Sequence, residues 1–232
     1  MKLIGIAAAL ACAGLAVPAL AQTRTEGEMV TSPMRAPRGA VEVGAELGYT
    51  QGFGTLRQGT NVRDVAEAGV GVGAEVGVRV TPTFSISAGG QFQSYNANDA
   101  LPLGTAVRGA TAGVDATFHI APFERADPWV SVGGGYRMLW EVPTGAAPTT
   151  LTHGFELGRI QVGVDLRPSE AVAIAPLIGA SLTTFLWQKS TGADNTKLDS
   201  PGLSPYVFAG VRGRFDVGGA RDARVMIRAA SR

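Results

Sequence analysis

The sequence predicts an all-β fold: an eight-stranded antiparallel up-and-down transmembrane β-barrel with a polar lumen. Three observations carry this reading. The N-terminus has the form of an export signal. Eight runs of residues alternate apolar and polar with a period of two. The connections between the runs alternate short and long.

The chain has 232 residues, room for one good-sized domain. Lys2 supplies a positive start, residues 3–17 are apolar and alanine-rich, and Pro18 interrupts them. Ala19-Leu20-Ala21 then fits a small-x-small cleavage site, so residues 1–21 read as a signal peptide with Gln22 as the new N-terminus. The apolar run falls short of the ~20 residues that a spanning helix needs. The only cysteine, Cys12, lies in this leader, so the mature chain is expected to form no disulfide and no thiolate metal site. Residues 22–40 are polar, hold Pro33 and Pro37 and show no period, which predicts a flexible periplasmic lead-in.

Alternation begins at Val41. Val41, Val43, Ala45, Leu47 and Tyr49 alternate with Glu42, Gly44, Glu46, Gly48 and Thr50. In the second run Val70, Val72, Ala74, Val76, Val78 and Val80 alternate with Gly71, Gly73, Glu75, Gly77 and Arg79. A helix would spread these valines around its circumference, whereas a strand sets them on one face. Four further runs, residues 84–95, 106–120, 129–141 and 172–187, keep the same rhythm, and so does the last, 205–217. In the remaining run, 152–166, Phe155 and Leu157 are out of phase with Ile160, which predicts a bulge near Gly158. The barrel is thus assigned to residues 41–217 and a periplasmic tail to 218–232. Connections 81–83, 122–127 and 167–170 are short; 52–67, 96–105, 142–150 and 188–203 are long and polar. With a periplasmic N-terminus every odd connection lies outside, and the long ones are the odd ones.

Alternation alone does not say which face is inside. The polar face interleaves glycine with Glu46, Glu75, Arg79, Asp115, Arg137, Arg159, Asp165, Arg212 and Arg214. As a water-facing surface it would be short of lysine and full of strand-weakening glycine. As the narrow lumen of an eight-stranded barrel, which has room only for side chains, it makes sense: glycines leave space and the two signs of charge pair. Tyr49, Phe84, Phe92, Phe118, Trp129, Tyr136, Trp140 and Phe215 gather toward run ends, as interfacial girdles do.

The chain resembles the small outer-membrane β-barrel family that includes the OmpA transmembrane domain and OmpX-like proteins. The resemblance covers about residues 41–217. It rests on the Val-Gly alternation of residues 69–80, on Arg79-Val80-Thr81-Pro82-Thr83-Phe84 as strand–turn–strand, and on a final strand at 206–215. It implies placement in the outer membrane, contact with outer-membrane lipid and lipopolysaccharide, and insertion by the barrel-assembly machinery. Gly210 and Phe215 partly fit the terminal assembly signal of such families, but Gly213 stands where an aromatic is usual and residues 216–232 follow.

Little in the sequence points to chemistry. The formal charge of +1 gives no electrostatic case for nucleic acid. His119 and His153 fall at opposite strand ends, too far apart to share a metal, and read as lumen or rim residues. Gly69, Gly71 and Gly73 recur within a strand, not in the turn before a helix that a nucleotide loop requires. Asp194, Asn195 and Asp199 read as solvated loop residues. The expectation is a monomeric, non-enzymatic outer-membrane barrel with no cofactor and a structural or surface-interaction role. The alternatives are a narrow channel or small-solute porin, and a lipid-modifying enzyme.

Overall fold

The computed structural model describes residues 29–227. The expected signal peptide, residues 1–21, lies outside them. The chain divides into two compact units, and the larger, residues 31–225, is the barrel with the segments around its ends. Of the smaller unit, only residues 29, 30, 226 and 227 are described, and all four are extended.

Eight long antiparallel strands form the wall: β1 (Ala40–Gly52), β2 (Ala66–Thr81), β3 (Phe84–Ala97), β4 (Ala106–His119), β5 (Ala126–Val142), β6 (Thr150–Leu166), β7 (Val172–Ser190) and β8 (Leu203–Val217). Each pairs with its sequence neighbours, and β1 pairs with β8 from Val41↔Val217 to Gly52↔Tyr206, so the sheet closes without a free edge. Closure leaves no strand with an unpaired edge, the condition for crossing hydrocarbon. No helix among the described residues is long and apolar enough to cross a membrane. The strands run from 13 residues in β1 to 19 in β7, more than the ~9–11 that a tilted strand needs, so the wall overhangs the bilayer.

The alternation sorts residues as the valine pattern requires. Val43, Leu47, Val72, Val76, Val114, Ile160, Ile178 and Val211 all project outward and are 43–62% exposed. Inward, Arg79, Gln93, Thr152 and Thr183 are fully buried. The apolar stripe therefore faces lipid and the polar stripe fills the interior, the reverse of a soluble barrel. Along β3, Phe84 to Phe92 spans roughly 26 Å of chain at ~3.3 Å per residue. A tilt near ~40° brings that to roughly 20 Å along the membrane normal.

β6 carries the bulge near Gly158. Its register slips against β7 between Glu156 and Gly158, and against β5 between Glu156 and Arg159. The slip lets Phe155, Leu157 and Ile160 all face outward while Glu156 and Arg159 both face inward. One extra residue thus places opposite charges three positions apart on the same lumen wall.

Three expectations are corrected. Trp129 does not join a girdle: it is 1% exposed, inside the barrel, beside Ala175, Leu177 and Phe208. It falls in phase with Ser131 and Arg137, and strand phase overrides the position near a strand end. The lead-in is not flexible throughout: Ala36–Arg38 pairs with Ala220–Asp222 of the tail, and the Met34 amide donates to the Phe123 carbonyl at 3.1 Å. Gly218 and Gly219, at φ +68° and +72°, make the reversal between β8 and that tail strand, a conformation costly for a residue with a Cβ. The first long connection is not simply a polar surface loop. It forms a small hairpin, Thr55–Arg57 against Thr60–Asn61, followed by a short 3-10 turn, and it turns Leu56, Val62 and Val65 into the barrel mouth.

At the mouth bordered by the short connections Arg35 is held to Glu170 by Nε–Oε1 and Nη2–Oε2 hydrogen bonds of 3.0 and 3.2 Å. Those bonds, with the guanidinium charge, hold the Glu170 carboxyl below the usual carboxylate range. A depressed folded-state value means that the contact contributes above the ordinary carboxylate pKa and is lost as pH falls through the folded value. Arg35→Ala is therefore expected to move the Glu170 titration upward in NMR spectra of the micelle-bound protein. An unmoved titration would show that the clamp does not form.

Candidate functional site: a lumen filled with paired charges

The interior has three levels. At the level of the short connections, Arg79 on β2 donates from Nε to Glu42 Oε1 on β1 at 2.7 Å and from Nη1 to the Pro82 carbonyl at 3.0 Å. Arg214 on β8 lies between Glu42, at 3.4 Å, and Asp165 on β6, with which it forms a close ion pair. Arg167 reaches Asp216 at 3.4 Å and Asp165 at 3.7 Å. His119 ends β4 in the same cluster, its Nδ1 2.8 Å from Asp127 Oδ2 and 3.8 Å from Asp165. These side chains are at most 6% exposed.

At the middle level Arg212 bridges Glu46 and Glu75, at 3.3 and 3.4 Å, and donates to Gln161 Oε1 at 2.7 Å. Its guanidinium lies 4.9 Å from the Trp129 ring centroid, so the indole found inside the barrel has a cationic partner. Arg159 contacts Asp115 and Glu156, both at 3.2 Å. Arg137 donates to Glu156 at 2.6 Å, to Thr183 at 3.2 Å and to Ser181 at 3.3 Å, and stacks 3.9 Å from the Tyr206 ring. Glycine makes room for this packing. A Cβ on Gly44 would sit 2.7 Å from Glu75 Cγ, and one on Gly113 would sit 2.8 Å from Arg159 Nη2.

At the level of the long connections the lumen turns apolar. Leu56, Val62 and Val65 from the first connection pack on Tyr95, Val107, Leu139, Phe185 and Tyr206 of the wall. Arg57 beside them is paired with Glu141 at 2.7 Å.

All nine charges singled out from the sequence, Glu46, Glu75, Arg79, Asp115, Arg137, Arg159, Asp165, Arg212 and Arg214, face the interior, and each has an opposite charge within 3.4 Å. They form three ion-paired groups, not one chain: Arg79, Asp165 and Arg214, joined through Glu42; Glu46, Glu75 and Arg212; and Asp115, Arg137 and Arg159, joined through Glu156. Sequence reasoning did not place Glu156, Arg167, Asp127 or His119 in this set. Glu156 was hidden by the phase change at the bulge, and Arg167 by its place in a short turn. Asp127 lies before the first alternating residue of its run, and His119, in phase with Asp115 and Thr117, reads as a lumen or rim residue without a charge partner. His119, Asp127 and Asp165 bring their ligand atoms within 4.8 Å of one another, yet Arg214 and Arg167 already hold Asp165 there. Arginines within the same cluster oppose a cation; Asp165 is spent on them, while Asp127 accepts from the Ala121 amide and faces His119.

An apolar belt around a closed sheet, over an interior of paired charges, defines a small transmembrane β-barrel of the outer-membrane type, and the outer membrane is its location. No protein-family model and no curated protein matches the chain. Solved structures similar to it include those of eight-stranded outer-membrane barrels. Neisserial surface protein A is 15% identical, with a TM-score of 0.48 over 75% of this chain and 98% of that one. The outer membrane protein OprG from Pseudomonas aeruginosa is 7% identical, with a TM-score of 0.48 over 78% and 98%. Ail, the attachment invasion locus protein of Yersinia pestis, is 12% identical, with a TM-score of 0.43 over 77% and 99%.

Proposed function

We propose that the chain is a non-enzymatic outer-membrane barrel that does not conduct, and that its outer loops are a preorganised surface for interaction. The observation that carries this is the filled lumen. The space left among Glu46, Glu75, Asp115, Arg159, Gln161 and Arg212 is ≈ 20 Å³, room for about one water. Below it lies the periplasmic ion cluster, and above it the apolar plug.

The loops support the second half of the reading. The Phe53 amide donates to the Pro205 carbonyl at 2.8 Å, and the Ser204 hydroxyl to the Thr55 carbonyl at 2.8 Å. The Thr144 hydroxyl donates to the Leu103 carbonyl at 3.1 Å, and the Thr191 amide to the Thr149 carbonyl at 2.9 Å. All four long connections are thus tied to a neighbour, which lowers the ordering cost of binding at that surface.

The test is conductance of the refolded protein in planar bilayers, where no steps above baseline are expected. Regular steps from the unaltered chain would replace this reading with the narrow channel. The mass of lipid A from cells with and without the protein should be the same; a shifted mass would make it an enzyme. Arg57→Ala removes the partly buried pair with Glu141 at the plug. It should lower unfolding stability by about 1–2 kcal/mol, measured by urea titration in lipid vesicles. An unchanged midpoint would show that the pair does not hold the plug.

A further inference from the structure

The lipid-facing surface is apolar over most of its area, and both lysines of the barrel stand on one wall together with Arg108. Register alone places them. Arg108 on β4 stands opposite Trp140 on β5, Trp140 opposite Leu151 on β6, and Leu151 opposite Lys189 on β7. One row nearer the bilayer centre, His153 stands opposite Trp187, and Trp187 opposite Lys197 in the short strand Thr196–Lys197. Beneath these lie Tyr136 and Phe155, also a facing pair. On the opposite wall, β1 and β8, the matching outward positions are Tyr49, Gln51, Pro205 and Val207, none of them charged.

Two features set this patch apart from an ordinary girdle. Lys189 and Lys197 are the only lysines after Lys2, and both lie here with the exposed Arg108. Lysine is otherwise absent from the barrel, so its use on one wall is selective. The second feature is a hydrogen-bonded histidine on the lipid side. The Tyr136 hydroxyl bonds His153 Nδ1, and His153 Nε2 lies 3.2 Å from Asn195 Oδ1. Because the amide oxygen can only accept, Nε2 carries the proton and Nδ1 accepts from the phenol. The imidazole stacks on Trp187 at 5.6 Å between centroids, with an interplanar angle of 26°. Phe155 packs edge-on to both Tyr136 and Trp187. A fixed polar ring system among lipid-facing aromatics is costly in hydrocarbon and marks an interface with something polar.

We propose that this wall binds a bisphosphorylated glycolipid of the outer leaflet, of the lipid A class. Arg108 and Lys189 stand three strands apart, roughly 14 Å at ~4.8 Å per strand. They straddle a disaccharide with a phosphate at each end, and Lys197 lies beside Trp187 one row below. Trp140, Trp187 and His153 present flat faces and hydrogen-bonding edges at sugar depth. Phe155 and the apolar belt below take the acyl chains. The ladder of cation, aromatic ring and hydrocarbon matches the order of groups in such a lipid. The inference needs the barrel in its membrane; it does not depend on whether the lumen conducts or on what the loops bind.

The test is native mass spectrometry of the folded full chain in detergent, with bisphosphoryl lipid A, monophosphoryl lipid A or phosphatidylglycerol added. The expected result is one retained bisphosphoryl lipid A, bound at least about tenfold more tightly than the monophosphoryl form. A variant carrying Arg108→Ala, Lys189→Ala and Lys197→Ala should lose at least about tenfold, while Arg63→Ala, on another part of the rim, should lose nothing. Equal retention of all three lipids, or undiminished binding by the triple variant, would overturn the proposal. Should the triple variant not reach the folded band, the comparison of bisphosphoryl and monophosphoryl lipid on the unaltered chain decides alone.

Discussion

Arg214→Met should lower the unfolding free energy of the barrel in lipid vesicles by about 3–5 kcal/mol, the range for a buried pair stripped of one partner. Arg214 contacts Glu42, Asp165 and Asp216, and all three carboxylates are nearly inaccessible to water. Methionine keeps much of the volume and removes the charge. Arg79 and Arg167 remain nearby, but each already has its own carboxylate at 2.7 and 3.4 Å. Adding Asp165→Asn to Arg214→Met should restore part of the loss, because the uncompensated charge then disappears with its partner. The measurement is a double-mutant cycle by urea titration, and coupling well above the ~0.5 kcal/mol scatter of independent sites is expected. Additive losses would mean that the cluster is not a unit. Conductance should stay at baseline in every variant, since the apolar plug around Leu56 still closes the mouth.

Val76→Arg should cost about 2–4 kcal/mol, the penalty for a cation near the bilayer midplane. Val76 faces outward and is 55% exposed, midway between the aromatic rows that Phe92 and Phe84 define on the neighbouring strand. Ser87→Ala, on the inward face of β3, should change stability by less than about 1 kcal/mol. The contrast must vanish in a chain whose outward face meets water. Equal tolerance at Val76 and Ser87 would therefore remove the membrane reading, whatever the loops do.

The wall was legible in the sequence because a barrel strand is a local device. Each residue's direction follows from its neighbours' parity, and glycine opposite long charged side chains gives the lumen face a recognisable composition. The bulge at Gly158 was legible for the same reason: Phe155 and Ile160 cannot both face lipid without an extra residue between them. Parity failed where several strands decide together. Val62 and Val65 lie in a loop, and only the shape of the mouth over Tyr206 and Phe185 makes a place for them. Trp129 reads as a girdle residue until its phase is set against Arg137 on the same strand. The partners of Arg214 come from β1 and β6, which no local pattern joins. Closing β1 on β8 does bring Glu46 to Arg212 and Glu42 to Arg214, and that adjacency follows from the strand count alone.

The short pairing of Ala36–Arg38 with Ala220–Asp222 bears on how such a sheet can finish. Seven of the eight wall pairings join strands next to each other in sequence, and each is a hairpin with a modest loop to close. The eighth joins β1 to β8 and must bring together segments separated by nearly the whole barrel. The entropy of that closure rises only logarithmically with length, but it falls on a single seam. Once residues 36–38 have met 220–222, the loop is already shut and zipping β1 along β8 costs only local order. The two small strands and the β1–β8 seam shut the same loop, so its closure entropy falls once and is shared between them.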